Sequence, residues 1–128
     1  MKIGTVAVCL VLAAAAVYAQ RPGVPLKILE RSDTSAAGRE AVTAVAEFAS
    51  TSETRFHTHP GEMVGYILEG RVVLEQQNRN AIVLEAGESF IIPAGVPHNN
   101  RNEENKPARM FVTYFVAKGK PLRENAAR

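Results

Sequence analysis

The sequence predicts an all-β protein, a barrel or sandwich of short strands. Three observations carry this. Apolar residues alternate with polar ones at a period of two over Ala41 to Ala49. Short apolar runs recur with Gly, Pro and acidic turn residues between them, and the last run, Arg109 to Ala117, is rich in Phe, Val, Thr and Tyr. A chain of 128 residues, 46% hydrophobic, has room for one domain and not two.

Taken in order, Leu26 to Glu30 reads as a short strand and Ser32 to Gly38 as a loop. In Ala41 to Ala49, Val42, Ala44, Ala46 and Phe48 share one face while Thr43 and Glu47 share the other, as in a half-buried strand; its alanines would also permit a helix. Val64 to Leu68 and Arg71 to Gln76 flank Glu69-Gly70, a hairpin turn. Ala81 to Leu84 and Ser89 to Ile92 follow, separated by Glu85-Ala86-Gly87-Glu88, and Arg109 to Ala117 closes the set. The charged tail from Lys118 to Arg128 reads as loose chain or a short helix.

The first residues differ in kind. Lys2 precedes an apolar run from Ile3 to Tyr18, and Val17 and Ala19 stand at the minus-three and minus-one positions of a small-residue cleavage site. Residues 1–19 are therefore expected to be a signal peptide, which sends a mature domain of residues 20–128 to the periplasm or outside the cell. The run is too short and alanine-rich for a membrane span, so no membrane contact is expected after cleavage. Cleavage also removes Cys9, the only cysteine, which excludes disulfides and thiolate catalysis. A net charge of +2 with no basic block, and only 6% aromatic residues, excludes a nucleic-acid groove and a polybasic membrane patch.

The chemistry centres on histidine. All three fall in two places: His57-Thr58-His59 ahead of one expected strand, and His98 after a turn rich in Pro and Gly. In extended chain, residues two apart point to the same side, so His57 and His59 can converge, and His98 from a distant strand can complete one face of a metal site. Three neutral imidazoles suit a borderline divalent ion and leave positions open for water or substrate.

The surroundings of these histidines resemble a known family. Gly87-x5-Pro93-x-Gly95-x2-His98-x3-Asn102 matches the second motif of the cupin superfamily in full, and His57-x-His59 with Gly70 matches most of the first. The stretch from His57 to Gly70 is similar to small single-domain cupins of the conserved-barrel type. The resemblance implies a jelly-roll-like β-barrel with a core over about residues 26–117, frequently a homodimer, with a small molecule bound in the barrel and His57, His59 and His98 as metal ligands. Gly70, Gly87 and Gly95 are expected at turns of positive φ, with Pro93 and Pro97 stiffening the approach to His98 and Asn102 forming a turn.

One slot departs from the pattern. Cupins usually add a glutamate ligand, and the spacing puts Met63 there, or Val64 on the longer count. Three readings stand in order of preference: a three-histidine site with Met63 lining it, Met63 as a weak thioether ligand to copper, or Glu62 bending inward across a strand irregularity. Without the anionic ligand, one zinc, copper, nickel or iron ion is favoured over manganese or magnesium.

Phe48, Ala46, Gly65, Ile67, Phe90, Ile92, Met110, Val112 and Tyr114 are candidates to wall an apolar pocket, each with plain core as its commoner role. Arg39, Arg55 and Arg101 are candidates to meet an anionic substrate, against the commoner role of solvated surface arginine. Glu62, orienting an imidazole or taking a proton from metal-bound water, and Tyr114 are the candidate acid-base groups. The functions weighed are an oxygenase-like or isomerase-like metalloenzyme on a small molecule, a non-catalytic metal or ligand binder, and a barrel whose metal site has decayed.

Overall fold

The computed structural model describes residues 21–128, so the expected signal peptide, and Cys9 within it, lie outside the described residues. Among the described residues ten strands follow one another without a helix: β1 Leu26–Asp33, β2 Arg39–Phe48, β3 His57–Thr58, β4 Gly61–Glu69, β5 Arg71–Gln76, β6 Ile82–Glu85, β7 Ser89–Ile92, β8 His98–Arg101, β9 Ala108–Ala117 and β10 Glu124–Asn125. They form two antiparallel sheets, ordered β1-β2-β9-β4-β7 and β10-β3-β8-β5-β6.

Alternation decides what each strand buries. On β9, Ala108, Met110, Val112, Tyr114 and Val116 point inward, and they face Phe48, Ala46, Ala44 and Val42 on β2 and Ile67, Gly65, Met63 and Gly61 on β4 in strict register. Val72, Leu74, Leu84, Phe90 and Ile92 add the opposing surface, so every residue proposed as a pocket wall, Gly65 apart, belongs to one packed core. Gly65 is overlaid by the Phe90 ring, which a Cβ would meet at 2.3 Å. The apolar pocket expected among these residues is thus filled by their own packing. Truncating Ile67 or Met110 to Ala in this layer would cost about 2–5 kcal/mol.

The helix that the alanines of residues 41–49 permitted does not form, because β2 pairs on both sides, Ala44 with Ile28 and with Val112. The tail forms no helix either: Pro121 interrupts it, and Glu124 and Asn125 pair with Thr58 and His57. Strand β1 runs three residues further than expected because polar Ser32 and Asp33 continue the ladder opposite Ala41 and Glu40. Strand β4 starts earlier, at Gly61, where a Cβ would lie 1.8 Å from the Phe115 carbonyl oxygen; only glycine allows β4 to approach β9 so closely.

Candidate metal centre

Strand β3 carries His57, the residue that follows the strand is His59, and β8 opens with His98, paired directly with His57. The hairpin approach to His98 is set by Gly95, whose φ of 72° is in the left-handed region and whose N–H donates to the His59 carbonyl at 3.1 Å. Gly70 and Gly87 also have the expected positive φ. The three rings meet with centroids 4.3 to 5.0 Å apart, and one nitrogen of each lies within 4.8 Å of the others. The residues are 4%, 6% and 0% exposed, so the cluster is inside the protein.

Each ring is held by its other nitrogen. His57 Nδ1 lies 2.7 Å from the Arg55 carbonyl oxygen, His59 Nδ1 2.7 Å from that of Leu122, and His98 Nδ1 2.9 Å from that of Val96. A carbonyl only accepts, so Nδ1 carries the proton and Nε2 presents its lone pair. Nε2 of His59 and of His98 are buried with no hydrogen-bond partner among the described residues. Such orphaned atoms are rare and call for an occupant, and a carbonyl behind each imidazole is the usual support of a metal ligand. The donor set fits a borderline divalent ion such as zinc, copper, nickel or iron. Arg55, with φ 61°, carries about 1–2 kcal/mol of left-handed strain and presents the carbonyl that His57 uses.

Electrostatics keep the rings neutral. Burial, reinforced by the charge of His98, pulls the pKa of His57 from the ordinary 6.5 down to about 3, and burial takes His98 down to about 4. His59 is lowered too, chiefly by burial, with the Leu122 carbonyl opposing. Arg123 depresses all three through its charge. Tyr114, its ring 4.6 Å from that of His59, has its hydroxyl pushed up by burial and stays protonated.

The comparisons with known proteins decide the family. The cupin domain pattern matches residues 44–114, more than half of the chain. The chain belongs to the cupin family. Over 53 residues, 39% of its length, this cupin is 42% identical to 3-hydroxyanthranilate 3,4-dioxygenase of Bos taurus and, equally, of Homo sapiens, and it spans only 18% of those enzymes. Among solved structures it resembles a double-stranded beta-helix protein of Klebsiella pneumoniae (TM-score 0.68, 19% identity, 88% of this chain and 91% of that one). It also resembles a recombinant oxalate oxidase in complex with glycolate (TM-score 0.66, 22% identity, 83% and 56%). At these identities the structural likeness speaks for the fold alone.

In this cupin Met63 occupies the inner face of β4, opposite Tyr114 and Ile92, and is fully buried. Glu62 does not bend inward. The β4–β9 register is regular from Gly61 to Ile67, with no bulge before it, so Glu62 points outward and pairs with Arg39 at 3.1 Å. It is therefore neither a replacement ligand nor in reach of the histidines, and the cluster of possible ligands among the described residues is His57, His59 and His98 alone.

The three arginine candidates also lie elsewhere. Arg39 is engaged by Glu62, Arg101 by Glu75 and Glu103, and Arg55 contributes its carbonyl while its guanidinium donates to the Arg21 carbonyl oxygen. Asn102 is a turn former as expected, fully buried and bonded to Ala49, Lys106 and Glu104.

Sequence reasoning missed the tail. Leu122 packs against the core and gives its carbonyl to His59, Arg123 donates to the Thr54 carbonyl, and the Ala126 N–H donates to that of Phe56. The tail thus straps across the histidine end of the barrel. A cavity of about 220 Å³ remains beside His59, lined by Thr58, Pro60, Lys120 and Glu124. A groove of about 570 Å³ lies between Phe56, Gln76, Gln77, Arg79 and Arg128 and includes none of the histidines.

Proposed function

We propose that this cupin binds one divalent transition metal through Nε2 of His57, His59 and His98 and is a metal-dependent enzyme of oxygenase or isomerase type acting on a small molecule. The observation that carries the metal assignment is the set of three Nδ1–carbonyl bonds, which aim three neutral imidazoles at one point. A bound ion would supply Lewis-acid polarisation of a ligand oxygen. Around it, Tyr114 holds its proton as a hydrogen-bond donor and Met63 adds no charge. Arg123 adds a cation that forms no ion pair among the described residues, so the site favours an electron-rich ligand oxygen. The segment shared with 3-hydroxyanthranilate 3,4-dioxygenase supports an oxygen-dependent reaction within this reading.

The experiment is oxygen uptake by the metal-loaded protein over catechols, flavonols and dicarbonyls, with His98→Ala as control. Uptake that the substitution abolishes supports the enzyme. Stoichiometric metal with no turnover on any of them favours the second reading, a non-catalytic metal or ligand binder, which the near-complete burial of the histidines beneath the tail also supports.

We also infer an exported homodimer. Export rests on the order of charge, apolar run and small-residue exit in residues 1–19. Pairing rests on the outer face of the first sheet, where Tyr66, Ile91 and Phe115 stand exposed on neighbouring strands.

A further inference from the structure

Five buried side-chain nitrogen or oxygen atoms have no hydrogen-bond partner among the described residues: His59 Nε2, His98 Nε2, Gln76 Oε1, and both Nδ2 and Oδ1 of Asn100. They all belong to one wall of the barrel, on or beside the adjacent strands β3, β8 and β5. A metal accounts for the two imidazole nitrogens. It leaves the two carboxamides unexplained.

Register puts these amides beside the histidines. Gln76 is opposite His98 and Leu74 opposite Asn100, and Leu74 belongs to the core, so the alternation that turns Leu74 inward turns Gln76, His98 and Asn100 inward with it. Asn100 is 1% exposed, and its backbone is pinned on both sides by Thr54, whose N–H and hydroxyl it meets at 2.9 Å. The side chain therefore has no freedom to seek solvent. Its neighbours differ: Asn99 faces outward and bonds Thr54, Glu53 and Glu75, and Asn102 is bonded three times. Of the three asparagines on this segment, only the one on the metal side has a side chain without partners among the described residues.

We propose that Gln76 and Asn100 form a carboxamide subsite next to the metal that recognises a hydroxyl group on the ligand. A hydroxyl both donates and accepts, which matches the donor and acceptor of Asn100 and the acceptor of Gln76. An uncharged pair selects it over a second carboxylate. With the interior otherwise filled by the core, the ligand class is a small hydroxy acid or hydroxy carbonyl, one oxygen on the metal and the neighbouring hydroxyl on the amides. This rests on the metal assignment above and deepens it.

The test uses the full chain loaded with cobalt, whose visible spectrum reports ligand binding, titrated with lactate and with propionate, which lacks only the hydroxyl. Wild-type protein should prefer lactate by about tenfold or more, since a site built to bond a hydroxyl rejects the analogue without it. Asn100→Leu should erase the preference while leaving cobalt affinity unchanged, and the metal-free variant should melt no lower than wild type because an unsatisfied amide has been removed. Gln76→Leu, at a less buried position, is the second variant and should reduce the preference. A wild type that does not discriminate, or variants that still do, overturns the subsite alone. A full chain that takes up no cobalt overturns the metal assignment and the subsite with it.

Discussion

Nδ1 of His59 lies 2.7 Å from the carbonyl oxygen of Leu122, 63 residues along the chain. The bond makes the C-terminal tail part of the histidine cluster proposed to hold the metal. It fixes the tautomer and the tilt of one imidazole from a segment that otherwise joins the fold through a two-residue strand and a few contacts. Ending the chain after Gly119 should weaken zinc affinity by about 10–100-fold, the usual loss when a ligand's supporting group is removed. Competition against a chromophoric chelator measures it; equal affinity for both chains would show that the tail plays no part.

The methionine at position 63 stands on the inner face of β4, opposite Tyr114. In Met63→Glu the carboxylate would be buried without a partner in the metal-free protein, at a cost of about 3–5 kcal/mol read from denaturant unfolding. Metal should return that stability, and manganese, a harder ion that prefers oxygen, should gain more affinity than zinc. If the substitution empties the site for all metals, Met63 does not face it.

Acid should weaken the metal-free protein in a defined window. In the unfolded chain a histidine titrates near 6.5, whereas His57 and His98 are held down to about 3 and about 4 by burial. Between these values the unfolded state binds protons that the folded state refuses, so stability is complete above about pH 6.5 and declines as pH falls toward 4. Thermal melting across pH 4 to 8 should show the slope. His98→Ala should make it shallower, and an unchanged slope would assign the acid sensitivity to other groups.

Association should depend on the exposed apolar face of the first sheet. Ile91, two-thirds exposed beside Tyr66 and Phe115, is its most accessible member. Sedimentation of wild-type protein should give a dimer and Ile91→Lys should shift it to monomer. A wild-type monomer at micromolar concentration would remove the pairing.

Much of the fold was legible in the sequence because period-two patterning is strong where a strand buries one face. The bounds of β5 and β7 are those expected, and β2 is a strand once its neighbours on both sides settle what alanines leave open. The short strands β3 and β8 were not seen as strands, since His57-Thr58 and His98-Asn99-Asn100-Arg101 are polar on both faces: the inner side holds the imidazoles and Asn100, the outer side Asn99 and Arg101. The histidines themselves were legible from spacing. The supporting carbonyls were not, because a backbone acceptor leaves no mark on residue identity, and nothing in Lys118 to Arg128 points to Leu122 as a partner of His59. The third reading, Glu62 bending inward, required a strand irregularity; adjacency along a strand means opposition in space, and β4 has no bulge at that point to reverse it.

The proposed function requires one ion held by His57, His59 and His98. Elemental analysis of the protein purified from its native compartment, paired with the same analysis of His98→Ala, tests it most directly. About one transition-metal ion per chain in the first and almost none in the second is the expected result for a single-centre site. A wild-type chain that is metal-free as purified and refuses added zinc, copper and nickel would contradict it.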